Sequence, residues 1–416
     1  CTLDTAQFTR LVVRPTSLCH HLSGYCWCML RLMMANAVRA FAFFVFGVAL
    51  TCPVQSTNGT AEKLWSIDLR PLPQIAAIGP LSEAGGNTIT FLDQNRIALG
   101  LNFPTSVPAG QSNSTENFHK TLIIAVDAKT GNVESSRSWP EAKGEAYKAI
   151  DLGHANSSDL LLLREDHLFL LSSTLEILAD RALDSTDLWY LLVDSSGSSA
   201  LLSRTAHDNY DSITNHWIST NTLKDLRVLP GVRGSTGSTL VVNESVIFSP
   251  LIRPPYDSNS LKEVPPKIFD RNGQTRQLCA SCPGAAIAAF GHDFIVVAHH
   301  PRASYSVVNA RSEEIIFDAT HGDEGDGVLS ASTAFSTSDR IALQYGHIDL
   351  ARRTSEVTLI MFDADKRSEI MRMNLSYLGQ TVGNRTSFTT PRLAMSPDGK
   401  LLAVMGADSL QVLKIP

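Results

Sequence analysis

Three groupings in this 416-residue chain have residue types suited to chemistry. Cys279-Ala280-Ser281-Cys282 is a C-x-x-C unit, which can be a redox dithiol, half of a metal site, or a local disulfide. A zinc site needs about four ligands, and the sequence has no second C-x-x-C. A redox pair sits at a helix N-terminus, and no helical period surrounds this one. A Cys279–Cys282 disulfide pinning a loop is therefore the expectation, with the other two as alternatives. The stretch 320–327 reads THGDEGDG. Asp323, Glu324 and Asp326 offer hard oxygen ligands suited to Ca²⁺, although their spacing is not that of an EF-hand and a solvated loop explains them as simply. The third grouping is scattered: Asn102, Arg164, Arg204, His207, Arg253, His299, His300 and His347 stand at the ends of short apolar runs. Gathered on one surface they would bind a ligand, and His299, His300 and His347 could share a metal. Left apart they are ordinary solvated strand ends.

What gathers them depends on the elements. After residue 60 there is no sustained helical period; short alternating or apolar runs recur between Gly, Asn, Asp and Ser clusters, the pattern of an all-β chain. One hairpin repeats: IIAVDAKTGNV at 123–133, KIFDRNGQ at 267–274, SVVNARSEEII at 306–316 and LIMFDADKR at 359–367. Weaker copies lie at 168–183, 216–229 and 404–415. Asp or Asn heads the turn, where its side chain accepts hydrogen bonds from backbone two residues on, and Gly permits positive φ.

A second hairpin precedes each copy, for example TITFLDQNRIALG at 88–100 and RLAMSPDGKLLAVM at 392–405. Two hairpins make a four-stranded unit that cannot bury both faces alone. Such units must stack, and closing them radially protects the sheet edges. The pattern occurs seven times, predicting a seven-bladed β-propeller over residues 57–416. The last unit stops one strand short, while an unassigned strand, EKLWSIDL at about 62–69, stands at the other end. Pairing that N-terminal strand into the last blade closes the ring. The loops following the second strand of each unit then share one rim, which is where the scattered polar residues fall.

The segment Ser396-Pro397-Asp398-Gly399-Lys400-Leu401-Leu402-Ala403-Val404 resembles the repeat of bacterial propellers of the YVTN and WD40-like (PD40) type, and Asp127–Val133 is similar to its matching half. The resemblance implies a fold superfamily that includes quinoprotein amine dehydrogenase-like chains, of a secreted bacterial type. Trp-Asp signatures and tryptophan repeats are missing, so the resemblance implies architecture and little about function.

Residues 33–39 (MMANAVR) and the apolar run 40–50 read as a basic n-region and a core too short for a roughly 20-residue membrane span. Residues 33–56 are expected to be a signal peptide cleaved after Ser56, and 1–32 an upstream extension outside the fold. Lipid anchoring at Cys52 is the alternative. The expected location is periplasmic or extracellular, without a transmembrane domain. A formal charge of −6 argues against nucleic acid as partner. The sequence has no G-x-S-x-G, H-E-x-x-H or P-loop motif. The expected function is an exported, monomeric, non-catalytic binding or scaffold module for a protein, peptide or glycan, with no cofactor required. The alternative is a metal-dependent lactonase-like hydrolase, using calcium or zinc in the central channel.

Overall fold

The computed structural model describes residues 60–79, 85–105, 118–140, 142–143, 150–156, 158–184, 187–194, 196–206, 213–230, 239–242, 245–248, 266–270, 274–279, 284–299, 304–320, 328–330, 338–349, 354–375, 391–406 and 408–416. The chain enters with β1 (Glu62–Asp68) and a single helical turn, α1 (Pro73–Ala76). Blade 1 is β2 (Gly85–Phe91), β3 (Arg96–Thr105), β4 (Phe118–Asp127) and β5 (Val133–Ser138), and the two-residue β6 (Ala142–Lys143) pairs with the start of β4. Blade 2 is β7 (Asp151–Ala155), β8 (Asp159–Arg164), β9 (His167–Leu171) and β10 (Ile177–Ala182). Blade 3 is β11 (Leu188–Val193), β12 (Ser199–Thr205), β13 (Ile213–Ser219) and β14 (Asp225–Pro230). Blade 4 has the short strands β15 (Thr239–Val242), β16 (Ser245–Phe248), β17 (Lys267–Phe269) and β18 (Thr275–Gln277). Blade 5 is β19 (Ala285–Phe290), β20 (Phe294–His299), β21 (Ser304–Asn309) and β22 (Ile315–Thr320). Blade 6 is β23 (Val328–Ser330), β24 (Arg340–Asp349), β25 (Thr354–Asp363) and β26 (Ser368–Asn374).

Blade 7 holds the ring closure. β27 (Arg392–Met395), β28 (Leu401–Met405) and β29 (Ser409–Lys414) form a three-stranded meander, and β1 adds antiparallel to β29 as the fourth strand. The expected N-terminal strand thus completes the last blade. Trp65 of β1 also reaches across to blade 1, donating its indole N–H to Ala128 O at 2.8 Å and packing over Gly131.

Stacking buries what alternation places on each sheet face. Every seam has its own apolar cluster. Leu99, Phe91 and Val412 meet between blades 7 and 1. Ala98, Leu160 and Leu162 meet between blades 1 and 2, and Leu161, Leu202 and Ile218 between 2 and 3. Among the described residues, the seam between blades 3 and 4 is centred on Leu201, Trp217, Val241 and Val246. Beyond it, Ile247 and Val297 join blades 4 and 5, Val307 and Leu343 join 5 and 6, and Met361 and Val404 join 6 and 7. Each buried Leu or Ile contributes about 2 kcal/mol relative to exposure, so the ring is held by packing around its whole circumference.

Six outermost strands share one irregularity. Leu64, Glu134, Leu178, Leu226, Ile316 and Ile370 are each the extra residue of a β-bulge near the strand start. A bulge twists an edge and interrupts its row of unpaired backbone groups, which blunts edge-to-edge pairing.

Candidate functional site

The two rims differ in construction. On one, the hairpin turns are locked by their leading acid or amide. Asp127 Oδ1 accepts the backbone N–H groups of Lys129 and Thr130 at 3.0 and 2.7 Å, and Asn309 Oδ1 accepts those of Arg311 and Ser312 at 2.9 Å. Asp194 and Asp398 repeat the device with Ser196 and Lys400. The sequence's turn chemistry is satisfied there locally.

The other rim carries the ends of each second strand and the starts of the innermost ones. Its best-built part spans the seam of blades 1 and 2. Register places Asn102 opposite Thr121, and the Thr121 hydroxyl donates to Asn102 Oδ1 at 3.0 Å. The same hydroxyl accepts the Nε–H of Arg164, the last residue of β8, at 2.9 Å. One donor and two acceptor lone pairs suit a hydroxyl to this bridging position. Arg164 Nη2 donates further to Pro140 O at 3.0 Å. Both of its acceptors are neutral. Desolvation between the blades lowers the pKa of the guanidinium, while the nearby Glu165 and Asp166 charges raise it.

Those two carboxylates have partners of their own. A tight turn at Glu165-Asp166, with Glu165 at φ 52°, joins β8 to β9. Glu165 pairs with Nε2 of the buried His119 at 2.6 Å, and Asp166 with Nδ1 of His167 at 2.8 Å. His119 Nδ1 and Trp139 Nε1 are buried with no hydrogen-bond partner among the described residues. Buried donors or acceptors of this kind lose free energy unless something satisfies them, so each is a point where a ligand or water gains by binding.

Nearer the axis, Asp151 opens β7 and Arg392 opens β27, and each pairs with a residue at the end of its neighbouring strand, Leu163 and Met405. Asp151 Oδ2 accepts the Leu191 backbone N–H from blade 3 at 2.9 Å, within the electrostatic reach of Arg392.

The other expected site residues distribute around the ring. Arg204 is ion-paired with Asp187 within blade 3. His299 Nε2 is 2.6 Å from Ser306 Oγ, which donates to Asp318. His347 lies on β24, in register with Glu356. His207, Arg253, His300, Cys282, Asp323, Glu324 and Asp326 lie outside the described residues, as do the signal-peptide segment and Cys52. Cys279 is buried and disulfide-bonded, with φ 49°. Among the described residues no group of three or more His, Cys, Asp or Glu is placed to hold a metal, and no helix is long and apolar enough to cross a membrane.

Asn102 and Arg164 are thus brought together, through a residue that sequence reading passed over. Thr121, His119, Asp151 and Arg392 are all missed partners. The signal for the first two was available: β4 opens with polar His119, Lys120 and Thr121 before turning wholly apolar.

Neither a protein-family model nor a curated protein sequence matches the chain. Solved structures do. Raptor from Chaetomium thermophilum is similar with a TM-score of 0.52 at 12% identity, over 87% of this chain and 29% of that one. The chain therefore spans less than a third of Raptor's length. BamB from Moraxella catarrhalis has a TM-score of 0.39 at 12% identity, over 86% and 100% of the two chains. The Pan2 WD40 domain of Neurospora crassa has 0.45 at 10%, over 86% and 95%. Identities this low speak for architecture alone. The class is set by the sheets themselves: the chain is a seven-bladed β-propeller closed by its N-terminal strand.

Proposed function

We propose that this propeller is an exported, non-catalytic binding or scaffold module that engages a protein, peptide or glycan through the rim formed by its second-strand ends. The observation that carries the reading is the seam of blades 1 and 2. There a guanidinium is fixed by Thr121 Oγ1 and Pro140 O on a closed ring, with no hydrogen-bonded carboxylate among the described residues. Positioned polar groups on a preformed scaffold cost little ordering entropy on binding, which suits recognition. Export follows from the basic and apolar stretch at 33–50 and places the module in the periplasm or outside the cell.

The test is a screen of the purified full chain against a glycan array and a displayed peptide library, beside a lactone-hydrolysis assay with calcium or zinc added. A saturable ligand weakened about tenfold by Arg164→Gln, in a variant that still unfolds cooperatively, is the expected result. Metal-dependent turnover of a lactone, or the absence of any ligand in both screens, overturns the reading.

A further inference from the structure

The charges on this rim are not evenly met. Arg204 is ion-paired with Asp187, while Glu165 and Asp166 lie against ring nitrogens of His119 and His167. Three cations in the sector of blades 7, 1 and 2 lack such a partner. The side chains of Lys120 and Arg392 make no hydrogen bond or ion pair among the described residues, although Arg392 feels the charge of Asp151. Arg164 bonds two neutral acceptors. Lys120 follows His119 at the start of β4, opposite Phe103, and Arg392 begins the innermost strand of the adjoining blade. Blade 1 therefore has a cation of its own and one on each neighbour, all at the same end of the ring.

The carboxylates of the sector are each held to a partner of their own, Glu165 to His119, Asp166 to His167 and Asp151 to the Leu191 N–H, and they reach Arg164 and Arg392 only through their charge. We propose that this sector seats an acidic segment of a partner protein, whose carboxylates pair with Lys120, Arg164 and Arg392; the inference rests on the binding-module reading. Guanidinium and ammonium groups left unpaired on a surface recognise carboxylates by charge and by hydrogen bonds, bidentately in the case of Arg. A neutral glycan gives three cations nothing to neutralise.

The experiment is fluorescence anisotropy of a labelled deca-glutamate peptide with the purified full chain, against deca-lysine and Gly-Ser decapeptides. A dT oligonucleotide serves as a second anion. Deca-glutamate is expected to bind, with affinity falling as salt rises. Lys120→Gln and Arg392→Gln, which break no hydrogen bond, should each weaken it about three- to tenfold, and the triple variant with Arg164→Gln should abolish it. Lys366→Gln, at the opposite rim beside Asp363, should leave it unchanged. No binding of deca-glutamate, or equal binding by the triple variant, overturns the proposal. Equally tight binding of the oligonucleotide, lost in the same variants, also overturns it by making the sector a general polyanion surface. A glycan or neutral peptide from the wider screen that binds the triple variant normally would sink this inference while leaving the module reading intact.

Discussion

Two buried groups on one short strand should make the pH dependence of stability deceptively flat. Asp151 is enclosed by protein, and burial pushes its carboxyl up to about 6 from 3.8, against the opposing effects of the Leu191 N–H and Arg392. Three residues along β7, burial pushes His154 down to about 4 from 6.5, opposed by a Ser196 backbone hydrogen bond and the Asp194 charge. The signs are opposite. Asp151 binds its proton more tightly when folded, so its contribution is greatest below pH 3.8 and is lost as pH rises through 6. His154 binds its proton less tightly when folded, so its contribution is full above 6.5 and is lost as pH falls towards 4. At about 1.4 kcal/mol per unit, moving from pH 7 to pH 4 gains about 2.4 kcal/mol from Asp151 and loses about 2.8 kcal/mol from His154. The sum is close to zero. Asp151→Asn keeps an acceptor for Leu191 N–H but removes one side of the balance. Urea unfolding at pH 7 and pH 4 should show the wild-type free energy nearly constant and that of the variant falling by roughly 2–3 kcal/mol on acidification. The variant should also be the more stable protein at pH 7. Parallel curves for the two proteins would refute the argument, because they would mean that Asp151 titrates alike folded and unfolded.

Three further perturbations test other parts of the ring. Trp65→Ala removes the indole bond to Ala128 O and the packing at the closing seam, at a cost of about 3 kcal/mol; calorimetry should show melting lowered by several degrees, and an unchanged scan would deny β1 its closing role. Gly197→Ala puts a Cβ 2.1 Å from His154 Nε2 at φ +69°, so it should destabilise by about 2 kcal/mol or more in denaturant titration, with Gly197→Ser no better. Thr121→Val is isosteric but removes the acceptor of Arg164 Nε–H and one donor to Asn102 Oδ1. A loss of about 1–3 kcal/mol is expected, together with weakened deca-glutamate binding from a loosened Arg164; full retention of both would mean the hydroxyl positions nothing.

Much of this architecture was legible because a β-propeller repeats its instructions. The runs IIAVD, SVVN and LIMFD each encode a strand by apolar content and a turn by the Asp or Asn that follows, and the structure uses Asp127, Asn309 and Asp363 in that way. Closure could be read from two incomplete ends. The site was less legible, for a geometric reason. Arg164 and Asn102 are 62 positions apart, and what joins them is the register of β3 against β4, which sets Thr121 opposite Asn102. Nothing in the local pattern of either residue reports that contact. Asn102 follows an apolar run, and only the register shows that, at 2% exposed, it serves as an acceptor inside the cluster. The bulges escaped for a related reason: Leu178 and Leu226 break alternation by one residue, and a single break cannot be told from a strand end until the partner strand is known.

The unequal treatment of charge on the two rims is the reason the proposed partner is assigned to one and not the other. Where the Asp-headed turns lie, cations meet a carboxylate close at hand: Arg96 with Asp93, Arg340 and Lys366 with Asp363, Lys400 with Asp398, Arg311 with Asp293. A ligand arriving there must displace a preformed pair and gains little, since exposed ion pairs are worth at most about 1 kcal/mol to exchange. Around blade 1 at the other end, the carboxylates lie against His119, His167 and a backbone N–H, and among the described residues Lys120, Arg164 and Arg392 make no ion pair. The turns need their acids to form, so a repeat that locks one rim with Asp leaves the opposite rim free to vary its charges. Recognition can therefore change there without disturbing the hairpins that build the ring.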